Sequence, residues 1–249
     1  MSDRLRIVPV PASLEIPPVR FGGYGQPKIG KTTFASKWPN PIFVQTEDGA
    51  AGLAVSKIPE TPCESWTELM DCLRVIAKDP QDRKTVVIDT LDRAEALAQA
   101  QVRDEHFQGC EKDYMSYHKG PAIAGKMMAE LLSALDYIRK THSMNIVLLA
   151  HDGLVPGANA LGEDFKKWAP SLSKQAWALV RDWCDQIGHF QSAFRVKDGK
   201  AKELGNERTI HFLGSPGRDA GCRAGYEMPD DIPIDWDEYK KQMGDKIYE

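Results

Sequence analysis

Apolar residues along this chain arrive in short runs separated by stretches of helical period. VRFGGYG (19–25), PIFVQT (41–46), TVVIDT (85–90) and NIVLLAH (145–151) are apolar at most positions, as strands buried on both faces of a parallel sheet are. Between them SWTELMDCLRVIAK (65–78) and the segment near 91–106 read as helices. A further helix carries Ile123, Met127, Leu131, Leu135 and Ile138 at three- and four-residue spacing, one stripe facing a core. The loop FQGCEKDYMSYHKGP separates the last two helices. After a helix at about 171–185 the pattern changes. QIGHFQSAFRVK and ERTIHFL, joined by DGKAKELGN, read as an antiparallel hairpin. The expected fold is α/β, a mostly parallel central sheet flanked by helices, extended by that hairpin.

The ends differ from this body. Residues 1–18 hold four prolines and no periodicity, which predicts an extended arm ahead of one domain at 19–226. Residues 227–249 carry eight acidic residues and three lysines, a net −5, and read as a solvated acidic tail. With the whole chain at −4, the body is close to neutral, which neither supports nor excludes a nucleic-acid groove. The composition, 42% hydrophobic and 27% charged, suits a substantial core. The longest clean apolar run is about the length of NIVLLA, far short of the ~18 residues that span a bilayer, so no membrane association is expected. The first residues have no signal-peptide character. Five scattered cysteines without a C-x-x-C pair fit reduced thiols in a cytoplasm.

The chemistry begins at GQPKIGKTT (25–33), which fits G-x-x-x-x-G-K-[ST] between a predicted strand and a helix. Its residues Gly25, Gln26, Pro27, Lys28, Ile29, Gly30, Lys31, Thr32 and Thr33 are the candidate phosphate cradle. Backbone amides turned onto an anion at a helix N-terminus hold the phosphates. Lys31 reaches the β- and γ-phosphates and Thr32 ligates Mg²⁺. Asp89 ends the buried strand VVID, where the ligand crevice of an open α/β sheet opens, and is the second Mg²⁺ candidate. Glu47, after the strand PIFVQT, faces the same crevice and is placed to orient a water, with a solvated loop acid or a helix N-cap neighbour as the competing reading. His151 follows the fourth apolar strand as a candidate γ-phosphate sensor, with Asp152 as its competitor.

The series GQPKIGKTT, FVQTEDG, VVIDT, LLAHDG resembles the RecA-like P-loop NTPase core, and within it the phage-encoded single-domain ATPases of the single-strand annealing and recombination group. SPGRDAGCRAGYEMPDDIPIDW resembles that group's C-terminal signature, and the likeness spans most of 19–236. In many AAA+ ATPases the catalytic Glu follows the strand-end Asp; Thr90 stands there in this chain. The resemblance implies a catalytic Glu after the second strand and a polar sensor after the fourth, matching Glu47 and His151. It also implies ATP bound between subunits of a homo-oligomer, single-stranded DNA as partner, a single-strand-binding protein as a further candidate partner, and the cytoplasm of a bacterial host. A basic residue reaching across in trans maps onto Arg223, with Arg218 in reserve. Gly221 replaces a Lys common in the group, and an intrachain ion pair is the competing reading of Arg223.

DNA contact points to GLVPGANALGEDFKKWAPSLSK, a Gly-rich loop in which Lys166, Lys167 and Trp168 combine cations with a stacking surface. Trp168 as a packed anchor is the alternative. Tyr114, Tyr117, His118 and Lys119 form a second candidate. Three function classes stand: an oligomeric Mg²⁺-dependent ATP hydrolase on single-stranded DNA, a nucleotide-gated binding module without turnover, and a small-molecule P-loop kinase.

Overall fold

In the computed structural model residues 16–157, 162, 164–197, 200–244 and 247 are described, the stretches 194–197 and 200–206 by backbone alone. The first fifteen residues of the expected arm lie outside the described residues.

The apolar runs pair as the sequence pattern requires. Strand β1 (Arg20–Gly25) leads through the phosphate loop into α1 (Lys31–Ala35), then β2 (Pro41–Gln45), β3 (Ser56–Ile58) and α2 (Trp66–Lys78). β4 (Thr85–Asp89), α3 (Leu91–Phe107), α4 (Glu111–Met115) and α5 (Lys119–His142) follow. Next come β5 (Asn145–Gly157), β6 (Phe165–Pro170), α6 (Lys174–Trp183), β7 (Gln186–Lys197) and β8 (Lys200–His211). β9 (Gly221–Cys222), β10 (Asp231–Pro233) and α7 (Trp236–Met243) complete the described elements. The strand order is β10-β8-β7-β1-β5-β4-β2-β3, with β6 paired to β5 and β9 to β7. From β7 through β3 every neighbouring pair is parallel. β8 and β10 extend the sheet antiparallel. This is the expected mixed α/β architecture with a mostly parallel sheet and a hairpin extension. Asp89 and Gly25, the ends of β4 and β1, flank β5 at Leu149 and His151. Strand ends carrying chemistry therefore converge on one edge, where ligands of open α/β sheets bind.

The two sheet faces bury two cores. One packs α2, α3, α5 and α6 residues such as Leu69, Leu73, Leu131, Leu135 and Ile138 against Val86, Ile88, Ile146 and Leu148. In the other, Phe21, Phe34, Trp38, Phe190 and Phe212 surround Tyr239.

One strand lies outside the sequence expectations, and two of those expectations change. β3 is an edge strand of three half-buried residues, too short to show alternation. The Gly-rich loop after the fourth apolar strand is a hairpin: β5 continues to Gly157 and β6 returns antiparallel, Asp152 opposite Pro170 and Gly157 opposite Phe165. The acidic tail is docked, since β10 pairs with β8 and α7 buries Tyr239 and Met243. Its charge hid an amphipathic helix whose apolar residues complete a core. Among the described residues no helix is long and apolar enough to cross a membrane.

Candidate nucleotide site

The loop between β1 and α1 takes its shape from two glycines and an anchor. Gly25 sits so close to β7 that a Cβ there would lie 2.4 Å from the Phe190 carbonyl oxygen. Gly30 adopts φ of +117°, open to glycine and strained for other residues. Ile29 is buried in the core beneath the loop, while Gln26, Pro27 and Lys28 are exposed. Lys31 is buried and its Nζ donates to the carbonyls of Gly25 (2.7 Å) and Gln26 (2.9 Å). Burial lowers its pKa, with Asp89 acting in the opposite direction. A buried ammonium held, among the described residues, by loop carbonyls is poised to exchange them for phosphate oxygens.

Thr32 Oγ1 donates to Asp89 Oδ2 at 2.9 Å. The other carboxylate oxygen, Oδ1, is buried without a hydrogen-bond partner among the described residues. Burial pushes the Asp89 carboxyl up to about 6, against the hydrogen bond from Thr32. An orphaned carboxylate oxygen beside a hydroxyl fits a hard divalent cation, which takes oxygen ligands and leaves the rest of its shell to water and substrate phosphates. Thr32 and Asp89 therefore fit Mg²⁺. Gly49 borders the same spot, where a Cβ would lie 3.1 Å from Asp89 Oδ2.

Glu47 is brought beside these groups by the backbone, because the amides of Thr46 (2.9 Å) and Glu47 (3.3 Å) both donate to the Asp89 carbonyl. Its Oε1 lies 3.7 Å from His151 Nε2 and its Oε2 lies 3.8 Å from Arg93 Nε. His151 is held by Asp92 twice: its amide donates to Oδ1 (3.0 Å) and its Nδ1 pairs with Oδ2 (3.0 Å). The hydrogen bond to Asp92 raises the imidazole pKa, against the effect of burial. At Asp92 burial pushes upward, but the His151 ring and amide outweigh it and leave the carboxyl below its usual range. A crevice of 720 Å³ is lined by Lys31, Thr32, Thr33, Glu47, Arg93 and His151 among others. Asp152, the competitor of His151, points elsewhere: its carboxylate lies 3.7 Å from the buried His189 Nε2.

Asp92 and Arg93 escaped the sequence reading. Both sit in the first turn of α3, in the stretch DTLDRAE. An acid in a first helical turn ordinarily serves the helix dipole, so nothing local marks Asp92 as the residue that orients His151.

The remaining candidates lie apart. Arg223 NH1 bonds Asp185 Oδ1 at 3.1 Å and NH2 donates to the Asp182 carbonyl at 2.6 Å. Asp185 precedes β7 at the edge of the sheet where β1 begins, opposite the crevice, and also pairs with Arg20. Arg223 thus has an intrachain partner, the competing reading of that residue, and within the chain it lies at the end of β1 opposite Lys31. Arg218 lies in a turn bridged to Trp168. On β6, Lys166 is exposed, whereas Lys167 Nζ is paired with Asp219 at 2.6 Å. Trp168 is packed against the core and stacks on His189 with ring centroids 6.1 Å apart. In the second DNA candidate, Tyr114 is buried and Tyr117 is 90% exposed.

The solved structures that resemble the chain include the crystal structure of the RadB recombinase, at 16% identity, a TM-score of 0.44, and coverage of 79% of this chain and 80% of that one. No curated protein matches the sequence. Residues 18–224 match the family AAA_24, described as an AAA domain. With its phosphate loop, Mg²⁺-compatible Thr32–Asp89 pair and a match over most of its length, the chain belongs to the AAA_24 family of AAA domains.

Proposed function

We propose that this chain is a Mg²⁺-dependent ATP hydrolase that acts as a homo-oligomer on single-stranded DNA, in annealing or recombination. The observation that carries the hydrolytic part is one crevice holding Lys31, Thr32, Glu47 and His151 together, with Asp89 bonded to Thr32.

Lys31 leaves the Gly25 and Gln26 carbonyls for the terminal phosphates, and the loop amides hold the rest of the triphosphate. Mg²⁺, held by Thr32 and Asp89, supplies positive charge to the phosphate oxygens when bound. Glu47, half-buried beside that pair, orients a water for in-line attack and accepts its proton. His151, fixed by Asp92, presents Nε2 toward the place where the γ-phosphate ends, and hydrogen-bonds it. Thr90 bears no carboxylate; of the two acids that line the crevice, Asp48 is exposed and Glu47 is the half-buried one that faces His151, which favours Glu47 for this task. The DNA and oligomer parts draw on the sequence resemblance and on the exposed Lys166 of β6; Arg223 would serve a neighbouring subunit's site, after releasing Asp185.

The test is steady-state ATP hydrolysis with and without single-stranded DNA, wild type beside Glu47→Gln. The expected result is DNA-stimulated turnover that falls about 10²-fold or more in the variant while ATP binding persists. Turnover that survives the substitution removes Glu47 as the base. Turnover indifferent to DNA, with no retention on it, removes the recombination half.

A further inference from the structure

Beside the crevice lies a second cleft with a different character. It measures 960 Å³ and is lined by Ile29, Gly30 and Thr33 of the phosphate loop, Arg208 of β8, and Ile234 and Trp236 of the C-terminal segment. Gly30 and Thr33 line both spaces, so the two meet over the first turn of α1. If the terminal phosphate faces Glu47 and His151, the nucleoside end of the same ligand leaves in the opposite direction. Across Gly30 and Thr33, that direction is this cleft.

The cleft is built to keep its shape. Arg208 NH1 donates to the Ile29 carbonyl at 3.0 Å and fastens β8 to the loop. A Cβ on Gly30 would lie 3.7 Å from Ile234 Cγ2, so the C-terminal segment rests against the phosphate loop itself. Trp236 is half-buried and braced by Trp38 (centroids 5.3 Å apart) and Tyr239 (5.6 Å). Asp235 is exposed at the rim of the cleft, but the polar groups of this segment have partners within the fold. The Ile234 amide donates to the Arg208 carbonyl (3.0 Å), the Asp235 amide to the Pro233 carbonyl (2.7 Å), and Asp235 Oδ1 caps α7 by accepting from the Glu238 amide (2.9 Å). The Ile234 and Trp236 side chains then offer a fixed apolar surface beside the phosphate loop, the chemistry that holds the face of a planar base. The segment also lies beyond residue 224, where the family match ends.

We infer that residues 233–236 seat the nucleoside base of the bound nucleotide, with Ile234 and Trp236 contributing affinity for the base and none for the phosphates. This rests on reading the crevice as a nucleoside triphosphate site, and the two can be separated by ligand. Calorimetric titration of wild type and Ile234→Asp, with Mg²⁺, would use ATP and inorganic tripolyphosphate as the two probes. Wild type should bind ATP more tightly than tripolyphosphate. Ile234→Asp should weaken ATP by about tenfold or more and leave tripolyphosphate within about twofold, and Ile234→Leu should restore ATP binding. Retained tripolyphosphate binding also reports that the variant is folded around its phosphate loop. An Ile234→Asp protein that binds ATP as wild type does, or that loses both ligands equally, overturns the seat. So does a wild type that binds the two probes equally, although the phosphate loop reading then stands. Failure of wild type to bind either probe removes the triphosphate reading and the seat with it.

Discussion

At the scale of single residues the site depends on orientation more than on the presence of ionisable groups. His151 has two ring nitrogens, and the bond from Nδ1 to Asp92 decides which one faces Glu47. The same bond raises the imidazole pKa, so the protonated ring stabilises the fold. That contribution is complete below the unfolded value of about 6.5 and fades as pH rises through the higher folded value. Asp92→Asn should lower the His151 pKa, read by an NMR titration of its ring protons, and remove the extra stability of the wild type near pH 6. A titration unchanged by the substitution would show that Asp92 does not govern the ring. Asp92 and Arg93 also mark what the residue types conceal. Lys31, Thr32, Glu47, Asp89 and His151 were legible because motif spacing and strand ends expose them. An acid in a first helical turn acting on a strand residue 59 positions further along has no such signal.

The hairpin of β5 and β6 shows how an element changes the meaning of its residues. FKKW reads as three adjacent groups for nucleic acid, but in a strand Lys167 points to the face opposite Lys166 and Trp168, and the latter two differ in how far the rest of the fold covers them. Lys166 is exposed, Lys167 is paired with Asp219, and Trp168 packs inward, its carbonyl accepting from Tyr24 Oη at 3.1 Å. The substitutions should therefore separate. Lys166→Glu should weaken retention of single-stranded DNA and flatten its salt dependence by about one phosphate's worth, with no change in melting temperature. Trp168→Ala should cost about 2 kcal/mol of stability, below the range for fully buried aromatics because the ring is only half-buried. Fluorescence anisotropy on a labelled oligonucleotide and thermal melts of both variants check this. A Lys166→Glu protein that keeps full DNA affinity would move the interface off this hairpin.

For the molecule as a whole the C-terminal segment is the element that composition misrepresents. Tyr239 is fully buried, touches Phe21, Phe34, Trp38, Phe212 and Trp236, and donates from Oη to Gln186 Oε1 at 2.5 Å. Tyr239→Ala should cost about 3–5 kcal/mol, the range for removing a buried aromatic, measured by denaturant unfolding. A loss below 1 kcal/mol would mean that the segment is not docked in solution. The start of the described chain is tied down at the same end of the sheet. Pro17 and Pro18 give their carbonyls to Tyr226 Oη (2.7 Å) and Arg139 Nε (2.5 Å). The first described residues and the segment around Tyr226 and Tyr239 are thus held near the buried Asp185, which pairs with Arg20, Arg139 and Arg223.

The alternating elements, the parallel sheet, the phosphate loop and the strand-end residues around it can all be read from the order of residues. Each of those rests on a local period or on a fixed spacing between neighbours in the chain. Partners drawn from distant segments are set by the fold. It gave Asp92 to His151, Lys167 to Asp219 and Arg223 to Asp185, and it turned an acidic tail into the wall of a cleft beside the phosphate loop. Such pairings depend on how strands are ordered in the sheet, and a charge or an aromatic ring looks the same in sequence whether it meets water or a partner.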